Sequence, residues 1–296
     1  MTNAHRGVLL GLAAYASFSF SDAFIKLLEG RIPVFQLMFM GAALSLLALP
    51  LVKQPGEKWR YLVQPRHRGI YAARMLSGAV NNLGAIVAFT HLPMAEAFAL
   101  IFLMPIFVTL LSVLVLGEHV GWRRWLAVIA GFVGVLVVLR PGFRELNIGH
   151  LGGIACGLAG ACSVVLMRKV GDDEHRLTLV GTTIIGNLLV AGALMWPDLR
   201  APTGMQWSYA AGFGLLSALG VVLLMYATLA TAVNRVAPTQ YSQMLWAVWL
   251  GWWLFDDYVD AWTWLGIAII LGAGLFTVLR EERVTGWWHR MRMLLP

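Results

Sequence analysis

Ten apolar windows, each long enough to cross a bilayer, follow one another along the 296 residues with only short charged or Pro/Gly-rich breaks between them. They fall at about 7–28, 33–52, 69–90, 94–117, 123–140, 149–168, 177–196, 208–230, 237–255 and 261–279. A spanning helix needs about 20 mostly apolar residues, so ten of them consume most of the chain and leave no room for a soluble domain. The narrowest break, between the third and fourth windows, is only His91-Leu92-Pro93. Composition points the same way. Hydrophobic residues make up 59% and charged residues 12%, with mean hydropathy +0.73, whereas a soluble domain is roughly 25% charged. The expected fold is an all-α integral membrane protein of ten transmembrane helices. At the N-terminus, His5-Arg6, an apolar run and Ala14-Tyr15-Ala16 imitate a cleavable signal peptide. The run continues to Leu28, so we expect it to be kept as the first span.

The charge pattern orients the spans. The net charge is +7, a balance that need not signal nucleic acid, because basic residues collect in cytoplasmic loops. With ten spans both termini share a side. That side holds 16 Lys/Arg, among them Lys53, Lys58, Arg60, Arg168, Lys169 and Arg235, against five on the other (Lys26, Arg31, Arg140, Arg144, Arg200). Both termini are therefore expected in the cytoplasm, with the chain in a bacterial inner membrane. The tail at 285–296, with Trp287, Trp288, Arg290 and Arg292, reads as an interfacial segment on an anionic leaflet. Cys156 and Cys162 lie on different sides of one helix, and neither they nor the scattered histidines offer a metal set.

The two halves repeat. Leu116-Gly117-Glu118-His119-Val120 with Trp125-Leu126 lies on Phe255-Asp256-Asp257-Tyr258-Val259 with Trp264-Leu265 at an offset of 139. Gly7-x3-Gly11 lies on Gly149-x3-Gly153, and Lys26 on Arg168, at an offset of 142. Each half (1–143 and 144–284) carries five spans, an odd number, so the copies must insert in opposite directions. Inverted repeats of this kind are how many secondary transporters build two gates around one site.

The stretch Ala95-Glu96-Ala97, Pro105 within an apolar span, Leu116-Gly117-Glu118 and the Gly-rich helix to Arg140-Pro141 resembles the EamA repeat of the drug/metabolite transporter superfamily. The second copy departs from it: Gln243 or Met244 stands in the place of the proline, and Asp256-Asp257 in that of Gly-Glu. The resemblance covers both halves. It implies ten spans and transport of a small molecule, with bacterial exporters of amino acids and related metabolites, including aromatic amino acids, among such members.

Polar groups at membrane depth are costly and usually face a cavity or a partner helix. On the third span, Arg74, Gly78, Asn81 or Asn82, and Ala85 share one face. They read either as a strip lining a substrate path or as helix–helix hydrogen bonding with Arg74 snorkelling. On the ninth span, Trp246 lies about 14 Å from Ala237, too deep for an interfacial belt, with Gln240 and Gln243 beside its stripe. It reads as an aromatic pocket wall or as packing. Phe98 and Phe102 precede Pro105, which frees the carbonyl of Ile101 and favours a kink. Tyr15 and Ser19 from the first span and Tyr226 from the eighth complete the candidate substrate residues. Asp22 is one of few carboxylates at membrane depth and can pair with Lys26 one turn on. Asp22, His91 and Glu96 are the candidate proton-coupling groups, with local capping the other reading of His91 and Glu96. The small-residue faces Gly149, Gly153, Gly157 and Gly7, Gly11 read as close helix packing.

The expected function is a secondary transporter exporting amino acids, aromatic or apolar ones included, or similar small metabolites by alternating access. A multidrug or lipophilic-cation exporter of the same superfamily is the competitor, and would call for a central carboxylate. A membrane enzyme would need a reactive constellation, and no H-E-x-x-H, G-x-S-x-G or P-loop occurs. No cofactor is expected. The expected partners are the lipid bilayer and a small-molecule substrate, not nucleic acid, and a monomer is the default.

Overall fold

The computed structural model describes residues 3–292 except 63, 66, 141–144 and 171–174, with the side chains of 3, 123, 124, 233, 234 and 277–292 also left out. Among these residues every regular element is helical. In chain order they are α1 Asn3–Leu27, α2 Val34–Ser45, α3 Leu49–Val52, α4 Arg68–His91, α5 Met94–Ile101, α6 Met104–Leu116 and α7 Trp122–Leu139, then α8 Ile148–Val170, α9 Arg176–Leu194, α10 Gly204–Ala230, α11 Val233–Val236, α12 Ser242–Phe255 and α13 Ala261–Arg292. One 3-10 turn, Leu46–Ala48, welds α2 to α3, and another, Ala237–Tyr241, leads into α12.

Six helical stretches are long and apolar enough to cross a membrane by length and composition: Ala4–Leu27, Val34–Val52, Met94–Leu116, Ile148–Val170, Arg176–Leu194 and Gly204–Ala230. Helix α4 has the length but carries Arg68, Arg74, Asn81, Asn82 and His91, which lower its hydropathy. Trp125–Leu139 and Ala261–Phe276 are apolar and shorter. These helices are apolar all round because their outer faces meet lipid. Leu114, Leu151, Leu189 and Leu245 are all more than 60% exposed, which in water would mark an aggregating surface.

Of three departures from the expected spans, two have local causes. The fourth span breaks at Phe102-Leu103, where Pro105 cannot donate to Ile101 and the Leu103 N–H tightens onto the Leu100 carbonyl. The ninth span starts as a 3-10 turn containing Pro238. The last helix runs on to Arg292 rather than ending near 279, and the side chains of the expected interfacial tail lie outside the described residues.

Between helices in lipid the driving force is close packing rather than burial from water. Helices α4 and α8 approach closely. A Cβ on Gly84 would stand 2.5 Å from the Gly152 carbonyl oxygen and 2.8 Å from the Cys156 nitrogen, so only glycine fits there. The face of Gly149, Gly153 and Gly157 packs on Leu92, Leu100 and the Ile101 carbonyl. The carbonyl freed by Pro105 thus abuts a helix rather than a ligand. The densest core, with Phe89, Met94, Phe98, Leu100, Met244 and Leu250 all nearly inaccessible, lies where α4, α5 and α12 meet.

Candidate functional site

Helices α2, α4, α9 and α10 enclose a cavity of about 260 Å³, room for roughly eight waters at about 30 Å³ each. Its polar groups are Asn82 from α4, Thr183 and Asn187 from α9, Ser45 from α2 and Ser217 from α10. Phe213, Val180 and Ile184 supply apolar wall. No lining residue is charged. Both Asn82 Oδ1 and Asn187 Oδ1 are buried without a hydrogen-bond partner among the described residues, and Asn187 is 7% exposed. Unsatisfied acceptors at this depth are unfavourable, and a cavity lined by two amide side chains and several hydroxyls has the chemistry of a polar binding site. Phe213 is held against α2 because Gly41 has no Cβ to meet its ring, and Ser21 of α1 donates to the Phe213 carbonyl at 2.8 Å.

The two adjacent amides of α4 go different ways. Asn82 faces this cavity, while Asn81 Nδ2 donates to the Cys156 carbonyl at 2.8 Å and lies 3.2 Å from its Sγ. A step of one residue turns a helical side chain by about 100°, so the pair serves a cavity on one side and the α4–α8 seam on the other. Arg74, two turns before Asn82, is 5% exposed and donates to the Leu179 carbonyl of α9 at 3.3 Å. It is held inside the bundle rather than snorkelling.

The other substrate candidates are dispersed. Phe102 stacks on Tyr241 at 5.5 Å, and both line a second cavity of about 300 Å³ with Gln240, Pro105, Thr109 and Arg168. Trp246 packs on Phe20 at 5.6 Å and Trp249 at 5.7 Å, facing an apolar groove between α1 and α12 rather than either cavity. Phe98 packs edge-on to Phe89 at 5.0 Å in the core. Ser19 is buried and donates to the Tyr15 carbonyl within its own helix. Tyr15 meets Phe18. Gln243 is half-buried on α12, and Tyr226 is exposed, its hydroxyl 3.4 Å from the Leu51 carbonyl.

A set of ion pairs and hydrogen bonds links the helices at the end of the bundle opposite the termini. Lys26 does not pair with Asp22. Its Nζ lies 3.2 Å from Asp257 Oδ2, donates to the Leu92 carbonyl at 2.9 Å and sits 5.1 Å over the Phe255 ring. Asp257 also accepts from the Met94 N–H at 3.3 Å, so one carboxylate ties α1, the start of α5 and the end of α12. Asp22 is left without an ion-pair partner among the described residues, in the neighbourhood of Cys156. Glu96 Oε1 lies 3.1 Å from His150 Nε2 with both side chains buried. His91 is exposed and its Nδ1 lies 2.9 Å from its own helix's Val87 carbonyl. Gln36 makes two hydrogen bonds with the Arg200 backbone, and Arg140 pairs with Asp260. Partial burial works against ionisation of Asp260. Hydrogen bonds from the Thr263 side chain and N–H and from Arg140 overcome it and hold the carboxyl down to about 2. These contacts tie several helices together at this end.

Asn187, Ser45 and Ser217 escaped the sequence reading. Asn187 had a signal, as the single amide in the apolar window 177–196. Two serines in Gly/Ala-rich helices had none. Among the described residues no three His, Cys, Asp or Glu converge as a metal site.

Comparison with known proteins fits this architecture. A solved crystal structure covers 94% of this chain and 98% of its own length at TM-score 0.60 and 17% identity, so the fold has been seen before. Curated relatives include the pseudopaline exporter CntI of Pseudomonas aeruginosa, 27% identical over 90% of this chain and 94% of that protein. A riboflavin transporter of Rhizobium johnstonii is 30% identical over 80% of this chain and 78% of that protein. An S-adenosylmethionine uptake transporter of Rickettsia prowazekii is 22% identical over 94% of each. These relatives carry small metabolites, some outward and some inward, across membranes that this chain, too, crosses several times. The family model for the EamA-like transporter family matches twice, at residues 5–140 and 147–279, and the chain belongs to that family.

Proposed function

We propose that this chain is a ten-span secondary transporter of two inverted five-helix halves, exporting amino acids or similar small metabolites from the cytoplasm by alternating access. The two halves are 1–143 and 144–284, both termini are cytoplasmic, and no catalytic step is involved. The observation that carries the reading is the uncharged polar cavity at Asn82 and Asn187.

Helix pairing supports the repeat. If the spans of the first half exchange with those of the second, the α1–α10 contact becomes α4–α8, α2–α10 becomes α4–α9, and α7–α13 becomes itself; all of these pairs are in contact. Around the cavity, Gly41, Ala42 and Ser45 on α2 correspond to Thr183, Ile184 and Asn187 on α9, 142 positions later, the offset already present in the sequence. Such a cavity lies where two halves rock against each other. The ties at Lys26–Asp257, Gln36–Arg200 and Glu96–His150 correspond to a closed external gate.

Counterflow tests this in proteoliposomes preloaded with amino acids, a sugar phosphate and a lipophilic cation. Saturable amino-acid exchange is the expected result, and exchange of the sugar phosphate alone would refute it. One observation favours a second reading: Asp22, without an ion-pair partner among the described residues, is a carboxylate inside the bundle that a lipophilic cation could use. Exchange of the cation alone, lost in Asp22→Asn, would select drug efflux. Unchanged pH dependence of flux in Asp22→Asn would remove Asp22 as a coupling group, leaving His91 and Glu96.

A further inference from the structure

We propose that Arg168 and Glu118 form the cytoplasmic gate, the inverted-repeat counterpart of Lys26–Asp257, made when the external pair breaks and broken when that pair is made. This rests on the reading of the two halves as rocking about one site, and it names the residues that hold the second face.

The two pairs are one device built twice. Glu118 lies 139 positions before Asp257, and Lys26 lies 142 before Arg168, the two offsets of the repeat. Each carboxylate is presented by the same turn. Helix α6 ends at Gly117 and α12 at Asp256, with φ of 67° and 53°, a left-handed conformation that Gly adopts freely and Asp tolerates. The next N–H then donates six residues back, from Glu118 to the Ser112 carbonyl at 3.3 Å and from Asp257 to the Gly251 carbonyl at 3.0 Å. Ser112 and Gly251 are themselves 139 apart. Each cation stands in the last turn of the first helix of its half, Lys26 on α1 and Arg168 on α8. Phe102 and Tyr241, also 139 apart, stack on each other at 5.5 Å, as expected of repeat mates on the axis that relates the halves.

Distance separates the two pairs. Lys26 Nζ is 3.2 Å from Asp257 Oδ2, with side chains 17% and 23% exposed. Arg168 Nη1 is 3.9 Å from Glu118 Oε2, with side chains 45% and 41% exposed, too far for a hydrogen bond. Both pairs join one half to the other, and the opposite insertion of the halves puts them at opposite faces. Rocking that parts one interface brings the other together. As Lys26 leaves Asp257, Arg168 closes onto Glu118.

The test uses the full-length chain and two reporters that are repeat mates. Ala247→Cys lies in a cavity wall with Asp257, and Val108→Cys in a cavity wall with Arg168, each in a Cys162→Ser background. An impermeant maleimide reaches the first from outside the cell and the second from the cytoplasmic side in inside-out vesicles. Asp257→Asn is added to populate the outward-facing form. In that background Glu118→Gln and Arg168→Met should each lower the Ala247→Cys rate about two- to fivefold, the range of one partly exposed ion pair, and raise the Val108→Cys rate. Both changes together should do no more than either alone. Glu118→Arg with Arg168→Glu rebuilds the pair with its charges exchanged and should return both rates. Both side chains are well exposed, so neither change strands a buried charge.

Unchanged rates, changes of one sign at both reporters, or a charge exchange that restores neither rate would overturn the inference. Labelling needs no substrate. Reciprocal rates without counterflow of any solute would count against transport and leave the gate standing. Counterflow with rates indifferent to Glu118 and Arg168 would remove the gate and leave transport.

Discussion

The Lys26–Asp257 pair is the contact whose removal should most directly change which face of the protein is open. The two atoms are 3.2 Å apart, and the side chains are 17% and 23% exposed. At an effective dielectric of 20, Coulomb's law gives about 5 kcal/mol for that separation. Desolvation and the entropy of holding a lysine reduce the net coupling to about 1–2 kcal/mol, between a surface and a fully buried pair. Asp257→Asn removes the charge but keeps an acceptor for the Met94 N–H, and Lys26 keeps its bond to the Leu92 carbonyl. If the pair exists only while this end is shut, losing about 1–2 kcal/mol raises the open population roughly 5–30-fold. Ala247, fully buried and lining a cavity of about 230 Å³ with Glu96, Gly251 and Asp257, is the reporter. Ala247→Cys, in a Cys162→Ser background, is labelled from outside the cell with an impermeant maleimide. The labelling rate should rise by that factor in Asp257→Asn and in Lys26→Met, and the double variant should add little to either alone. Equal rates in all four proteins, or fully additive increases, would show that the pair is a static contact and not a gate.

Three further outcomes come from the packing and the loop chemistry. Gly41→Ala puts a methyl where the Phe213 ring sits; Phe213 should swing into the cavity and cut counterflow at least tenfold with the thermal transition little changed, and normal flux would show that the cavity is not on the path. Gly84→Ala meets backbone of α8 that cannot give way and should cost about 1–3 kcal/mol, read as a lowered unfolding transition in detergent, whereas Asn81→Ala, losing one interhelical bond to Cys156, should cost only about 1 kcal/mol. Because the Asp260 carboxyl is held below its unfolded value of about 3.9, its stabilisation is complete above that value and is lost as pH falls towards about 2; Asp260→Asn should lower stability at neutral pH and flatten the acid limb, and an unchanged acid limb would contradict the assignment.

Much of this architecture is legible without coordinates, because the bilayer imposes a one-dimensional rule. A helix that must satisfy its own backbone and meet lipid announces itself as an apolar window, and the break before Pro105 follows from a missing N–H. Site residues are less legible. Asn81 and Asn82 are equivalent in any span-level reading, and a rotation of about 100° decides that one bonds Cys156 while the other faces a cavity. Trp246 is conspicuous by depth, yet depth does not say which way a side chain points, and it packs on Phe20 and Trp249. Asn187 was readable as a lone amide, but what gives it meaning is Asn82, over one hundred positions away.

The sequence by itself determined the medium, the helices and the repeated plan of the chain, because hydropathy, proline chemistry and a recurring offset are local or periodic properties. Only the tertiary structure decided the partners. Lys26 has Asp22 one turn away and takes Asp257, from the far end of the chain, instead, because the pairing of charges in a bundle is set by which helices touch. The same contacts leave Asp22 without an ion pair among the described residues and bring Asn82 and Asn187 to one cavity. Those are interhelical distances, and no periodicity along one chain encodes them.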